Sequence, residues 1–231
     1  LEYRPNDPIR IKSVEFVGAI GQVGQAPPAV VHGLPQVAVA GRSNVGKSSL
    51  INRLLGRTRT QLARVSAQPG KTQEINFYRV RTDRGDFFLV DLPGYGYAKV
   101  PQELRGRWRP LIHGFLSSST DLRGVLQLID LRSGPTEDDL ASVDYLAELG
   151  LPVLFALTKA DQVKASRRDA EIGKSVRKLG ADPDQVLAFS SLKGDGREEL
   201  LGILAGLLFP APEDETETAS PEAPGPADSE P

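Results

Sequence analysis

Two glycines, a lysine and a serine stand at a spacing that suits anion binding: Gly41, four intervening residues, then Gly46, Lys47 and Ser48. The residues before them, "QVAVA", read as a short buried strand. Those after, "KSSLINRLL", put Leu50, Ile51, Leu54 and Leu55 on one helical face. A glycine loop between strand and helix lets backbone N–H groups converge on an anion, and the helix adds its positive N-terminal end. The chemistry this allows is a cradle for nucleotide phosphates. Lys47 would reach the β- and γ-phosphates, and the Ser48 hydroxyl would ligate Mg²⁺.

Further candidates follow other apolar runs, where an open α/β sheet presents its ligand. After "DFFLV" comes "DLPGYGYA", with Asp91 suited to Mg²⁺ through water and Gly94 able to bring its N–H to a γ-phosphate and to act as a hinge. After "PVLFAL" comes "TKAD", Thr158 to Asp161. The Asp161 carboxylate can accept from N1–H and the exocyclic amine of guanine. Adenine lacks both donors and would leave the acid unpaired, so GTP is favoured over ATP and a metabolic P-loop kinase or ATPase is disfavoured. The Lys159 stem would lie along base and ribose. "AFSSLKGDG" offers the Ser191 N–H to the guanine O6. The polar stretch "GRTRTQLARVSAQPGKTQEI" reads as a mobile functional loop, and within it Thr72 is the choice for a second hydroxyl on Mg²⁺. Thr58 and Thr60 compete but sit close to the helix end.

These residues need a scaffold, and the sequence predicts one. Candidate strands are "SVEFVGA", "QVAVA", "NFYRVR", "DFFLVD", "GVLQLID", "PVLFALT" and "VLAFS", with helical patterns over 48–55, 108–116, 137–149, 165–179 and 196–208. The alternation means a three-layer α/β P-loop domain, its central sheet mostly parallel and covered on both faces. Asp83–Gly85 turns one strand back on the next, so one strand should be antiparallel. Residues 1–11 are expected to be a flexible start, 12–210 the nucleotide-binding domain, and 211–231 an acidic disordered tail. The 231-residue chain carries a net charge of −2, and residues 211–231 hold seven acidic and no basic side chains, leaving the body at +5. Without cysteine there are no disulfides or thiolate metal sites, and His32 and His113 alone are too few for a histidine-rich centre. No apolar run is long enough for a membrane span and the start "LEYRPNDPIR" is no signal peptide, so the expected location is cytoplasmic.

The runs "GRSNVGKSSLIN", "PGKTQEINFY", "DLPGYGYA", "TKAD" and "FSSLKGDG", in this order, resemble the EngB family (also called YihA or YsxC) of bacterial GTPases, within the TrmE-Era-EngA-EngB-septin-like superfamily. The resemblance spans roughly residues 12–209. It implies a GTPase acting in assembly of the large ribosomal subunit and needed for normal septation in cell division. The nucleotide-contacting residues it implies are Gly41, Arg42, Ser43, Asn44, Val45, Gly46, Lys47 and Ser48; Gly70, Lys71, Thr72, Gln73 and Glu74; Asp91, Leu92, Pro93 and Gly94; Thr158, Lys159, Ala160 and Asp161; and Phe189, Ser190 and Ser191. One departure is plain: "DLRSGPTEDD" has Ser133 after Arg132, where the family tends to carry a histidine.

Catalysis is expected to rest on Lys47, Thr72, Gly94 and Asn44. Many GTPases orient the attacking water with a glutamine directly after D-x-x-G; here that position is Tyr95, which predicts slow intrinsic turnover completed by another element or an activating partner. Asn44 resembles the loop asparagine of K⁺-activated relatives and is read either as a K⁺ ligand or as a residue that merely stabilises the turn. Lys99, Arg105, Arg107 and Arg109 surround Trp108, and Arg53, Arg57, Arg59, Arg64 and Lys71 lie in or near the first long loop. Such clusters suit ribosomal RNA gripped in one nucleotide state. Trp108 itself reads better as a core anchor of its helix. The expected partner is a large-subunit precursor with its rRNA, met by a monomer; the alternative is a septum-associated GTPase acting through protein partners.

Overall fold

The computed structural model describes residues 7–57, 74–95 and 102–210, with α-helical side chains from residue 109 onward in the segment that begins at 102. Seven strands form one sheet: β1 (Ile11–Ile20), β2 (Gln36–Gly41), β3 (Ile75–Thr82), β4 (Asp86–Asp91), β5 (Leu122–Asp130), β6 (Val153–Thr158) and β7 (Val186–Ala188). Their spatial order is β1-β3-β4-β2-β5-β6-β7. β3 is antiparallel to both β1 and β4. The other neighbours, β4–β2, β2–β5, β5–β6 and β6–β7, are parallel. The β3–β4 hairpin turns between Thr82 and Asp86, as the sequence predicts.

Period-two alternation assigns the two faces. Val37, Val39, Phe87, Leu89, Leu126 and Leu128 pack with Leu50, Ile51 and Leu54 of α1 (Lys47–Leu54) and Leu200, Leu201 and Leu204 of α5 (Arg197–Leu208). Ala38, Ala40, Phe88, Val90 and Val125 face the other way, against Leu111 and Phe115 of α2 (Gln102–Ser118) and Leu146 of α3 (Glu137–Glu148). On that same face Ile129, Phe155 and Leu157 meet Ile172 and Leu179 of α4 (Ala165–Leu179). Small alanines on one side of β2 and branched valines on the other let both helical layers close over a strand buried along its whole length.

Two boundaries differ from the sequence reading. The packed body starts ahead of residue 12: Ile9 is buried in the core and the Arg10 N–H donates to Asp83 Oδ1 at 2.8 Å. α2 begins at Gln102 rather than Trp108, because the polar run "QELRGR" carries no apolar stripe by which periodicity could detect a helix. Among the described residues no helix is long and apolar enough to cross a membrane.

Candidate functional site

The four central parallel strands end on one rim, with Val39 level with Asp91, Gly41 with Leu128, and Asp130 with Thr158. The loop that leaves β2 is fixed by its backbone. A Cβ on Gly41 would lie 3.0 Å from both Leu128 Cβ and Val45 Cγ1, so only glycine lets the loop pass β5. Gly46, the residue before α1, has φ 106°, and Asn44 has φ 62°. Asparagine is among the few non-glycine residues that tolerate that region, which gives Asn44 a conformational role independent of any ion.

Lys47, the first residue of α1, forms an ion pair with Asp91 at the tip of β4, the two side chains only 9% and 4% exposed. Ser48 follows it on the helix. On the other side of the loop, Thr158 Oγ1 donates to the Val45 carbonyl at 2.6 Å. Lys159, held at φ 59°, extends its ammonium to the Asn44 carbonyl at 2.7 Å and to Asp130 Oδ2 at 2.8 Å. Arg132 grips the same carboxylate through Nε at 2.9 Å and a terminal nitrogen at 2.6 Å, and reaches Gln162 Oε1 at 2.9 Å. Burial pushes the Asp130 carboxyl up, but hydrogen bonds from Arg132 and Lys159 outweigh it and bring its pKa down to about 2.

Asp161 sits in a short 3₁₀ turn, and the Ser190 hydroxyl donates to its Oδ1 at 2.7 Å. Ser190 is fully buried, and its own hydroxyl accepts the Lys193 N–H at 3.0 Å, so the Asp161 carboxylate is held in one orientation. A pocket of about 440 Å³ runs from Gly46 to Asp161, walled by Ser49, Asn52, Arg53, Thr158, Lys159, Gln162, Ser191 and Leu192. That volume falls in the range of small-molecule sites. Leu192 is 75% exposed, a large apolar side chain standing at the pocket mouth.

The segment after β4 is joined to the phosphate loop by backbone. Ser43 N–H donates to the Tyr95 carbonyl at 2.9 Å, and Arg42 and Tyr95 form a parallel bridge. A Cβ on Gly94 would stand 2.9 Å from Ser43 Oγ. The Tyr95 ring turns away from this seam. Its hydroxyl donates to Asp139 Oδ1 at 3.0 Å and accepts from the Gln127 amide. Burial, then the Asp139 charge, push the phenol far above its ordinary pKa. Asp139 also closes the N-terminal capping box of α3 with Thr136.

This arrangement calls for relatives, and they exist. Residues 36–159 match the family of 50S ribosome-binding GTPases. A probable GTP-binding protein EngB of Gemmatimonas aurantiaca is 44% identical over 198 residues, covering 86% of this chain and 94% of its own length. Another, of Citrifermentans bemidjiense, is 39% identical over 214 residues, covering 93% and 96%. The chain belongs to the EngB family of GTP-binding proteins. A solved structure of a probable EngB matches the fold with TM-score 0.60 at 24% identity, over 75% of this chain and 98% of that one. Era in complex with MgGDPNP and nucleotides 1506–1542 of 16S ribosomal RNA matches with TM-score 0.64 at 25% identity, over 78% and 60%.

Within the EngB frame, the structure brings Gly41 through Ser48, Asp91 through Gly94, Thr158 through Asp161, and Ser190 and Ser191 to one rim. Val45, Leu92 and Phe189 are buried, so what they can offer a ligand is main chain. The Phe189 ring packs in the core and its carbonyl accepts the Ala160 N–H at 3.2 Å, fixing the turn that carries Asp161. Glu74 lies beside Gly21, just past the end of β1, and is not among the pocket-lining residues. Gly70, Lys71, Thr72 and Gln73 lie outside the described residues, as do Arg59, Arg64, Lys99 and 211–231.

Arg53 needs a correction. The sequence places it with the RNA-binding cations, but its guanidinium donates to the Ser191 carbonyl at 2.6 Å and to the Leu192 carbonyl, tying α1 to the loop after β7. Arg197 completes the tie by donating to the Arg53 and Leu54 carbonyls at 3.1 and 3.0 Å. The sequence reading also passes over Asp130, although its place at a strand tip was a usable signal. The donor set fits a Mg²⁺ shared with phosphates: among the described residues no three His, Cys, Asp or Glu side chains gather, and the available donors are the hard oxygens of Ser48 and Asp91.

Proposed function

We propose that this EngB-family chain is a GTP-operated switch that binds Mg²⁺–GTP, hydrolyses it slowly to GDP and phosphate, and acts in assembly of the large ribosomal subunit. The observation that carries the reading is the pocket running from the phosphate-loop glycine to an aspartate pre-oriented by Ser190. A carboxylate held this way accepts both guanine donors without reorganising, whereas adenine would leave it unpaired. Ser191 lines the same pocket and its N–H would serve O6, with Lys159 and Leu192 bordering the space for the ring. Lys47 would exchange Asp91 for phosphate oxygens, and Ser48, Thr72 and, through water, Asp91 would hold Mg²⁺. When bound, Mg²⁺ would neutralise charge on the β- and γ-oxygens. Gly94 N–H reads the γ-phosphate.

Tyr95 is engaged by α3 and β5 and carries no amide or base, which supports slow turnover without an activating partner. Asn44 as a K⁺ ligand remains part of the proposal; its tests are the hydrolysis rates in KCl and NaCl, where equality removes it. The ribosomal partner is supported by the matched family and by an Era relative solved with 16S RNA. The mildly basic body, with Arg57 and exposed Arg109 on it, fits an RNA partner. We assign it to the cytoplasm as a monomer, with septation defects following from poor ribosome supply.

The test has two arms. Bound GDP should be displaced by GTP and not by ATP; displacement by both equally would end the base assignment. With GDPNP the protein should co-sediment with large-subunit particles, and Lys47→Ala should abolish that. Absence from ribosomal fractions under every nucleotide condition, with recovery at septa through protein partners, would favour the septum-associated alternative.

A further inference from the structure

The loop after β7 lines the pocket through Ser191 and Leu192. Its glycines Gly194 and Gly196 stand at φ 91° and 79°, the region where glycine alone moves freely, so local sequence does not hold the loop to one shape. Arg53 of α1 reaches it from outside. Nε donates to the Ser191 carbonyl at 2.6 Å and a terminal nitrogen to the Leu192 carbonyl. A Cβ on Gly194 would lie 3.8 Å from Nη1 of the same guanidinium, so the returning arm of the loop runs beside it. Arg53 is itself held. Arg197, at the start of α5, accepts no freedom either: its guanidinium donates to the Arg53 carbonyl at 3.1 Å and its N–H to the Gly194 carbonyl at 3.2 Å. Loop, α1 and α5 thereby close a ring.

We propose that Arg53 is a positioning residue for guanine recognition, acting on Asp161 through the Leu192–Lys193 peptide and the Ser190 hydroxyl. The inference rests on the guanine reading of this pocket given above. A planar guanidinium offers donors at fixed relative positions, so one side chain sets two consecutive carbonyls at once. In a trans peptide the carbonyl and the following N–H point opposite ways. Drawing the Leu192 carbonyl to α1 therefore turns the Lys193 N–H away from α1. That N–H donates to Ser190 Oγ at 3.0 Å, and Ser190 Oγ in turn donates to Asp161 Oδ1 at 2.7 Å. The chain from Arg53 to the carboxylate is continuous, and each link fixes the direction of the next. Without the guanidinium the two carbonyls turn to water, the peptide is free to rotate, and Ser190 loses the donor that orients its hydroxyl. Asp161 then samples orientations that meet one guanine donor and miss the other.

The experiment measures GDP affinity in wild type, Arg53→Ala, Asp161→Ala and the double variant, with GTP hydrolysis kinetics for the first two. Arg53→Ala should weaken GDP by about tenfold in wild type and by less than about twofold in the Asp161→Ala background, where there is no carboxylate to orient. In hydrolysis the loss should fall on KM, with kcat within about twofold, because the transferred phosphate lies at the other end of the rim. Arg53→Lys, one ammonium in place of two fixed donors, should lose about threefold, and it decides the matter if Arg53→Ala does not fold. The same fold-loss in both backgrounds would overturn the assignment, since that marks a residue that shapes the domain without acting through Asp161. A loss confined to kcat would overturn it too. If ADP binds wild type as tightly as GDP does, the guanine reading fails and this one with it. If wild type prefers GDP and both Arg53 variants keep its affinity, only the Arg53 role falls.

Discussion

The two ends of the rim are built differently. At the Asp161 end, Thr158 and Lys159 bond strand tips to the phosphate loop, Lys159 and Arg132 share the Asp130 carboxylate, and Ser190 separately orients Asp161. At the phosphate-loop end, the buried Lys47 and Asp91 pair with each other, and the Ser43 hydroxyl, against Gly94, has no hydrogen-bond partner. The base end is complete before any ligand arrives, as rigid recognition requires. On the proposed reading, the phosphate-loop end holds groups whose partners would come from a ligand, so its energy is the part that should change with the nucleotide. That reading would separate preorganised selection from state-dependent response along one rim.

The largest effect should come from breaking the base end. Asp161→Asn removes the carboxylate that Ser190 orients and puts an amide donor against guanine donors. GDP affinity measured by fluorescent-nucleotide titration should fall roughly a hundredfold or more. A fall of less than about fivefold would mean that the oriented carboxylate is not what reads the base.

The matching lesion at the phosphate end is Asp91→Ala. It leaves the Lys47 ammonium buried without its counter-charge, which in other proteins costs about 3–5 kcal/mol. Denaturant unfolding of the nucleotide-free protein should show a loss of about that size, and added GDP should restore much of it if phosphate oxygens take over Lys47. An undiminished midpoint would mean that the pair contributes no net stability, and the contrast between the two ends would weaken.

How much of this was legible beforehand follows the same division. The sheet, its one reversed strand and the residues of the rim were readable, because strand alternation and the glycine loop depend on local pattern. The place of Asp161 on the rim was readable too, since it follows an apolar strand. The brace behind it was not. Arg53 looked like one more surface cation, and only the packing of α1 beside the loop after β7 gives its guanidinium two carbonyls to hold. Tyr95 was readable as a residue lacking the chemistry for water activation, but its tether to Asp139 joins positions 44 apart in sequence. α2 gave up only its apolar half to periodicity, and its polar first turns left no pattern.

Asp130 offers a subtler test of the base-end brace. Its folded pKa, about 2, is depressed below the ordinary carboxylate value, so the stability it confers is full above pH 4 and disappears as pH falls toward 2. Arg132 is partly exposed and water screens the pair, so the contribution is modest. Asp130→Asn should therefore flatten the acid side of the stability curve between about pH 4 and pH 2, with little change in slope above pH 5. Parallel acid limbs for the two proteins would show that the brace does not act through this carboxylate.

The finest comparison lies within the phosphate end, between Ser43 and Gly94. A methyl placed on Gly94 meets Ser43 Oγ at 2.9 Å, while the next nearest atoms, Ser43 Cα and N, stand at 3.4 Å, an ordinary contact. The obstacle is a single hydroxyl that can rotate, so Gly94→Ala should cost the nucleotide-free protein only about 1 kcal/mol, the scale of a displaced rotamer. In a Ser43→Ala background the obstacle is gone and the same substitution should cost close to nothing. A double-mutant cycle on urea midpoints reads the difference directly as a coupling energy of about 1 kcal/mol. Strict additivity would place the hydroxyl elsewhere than in the Gly94 seam.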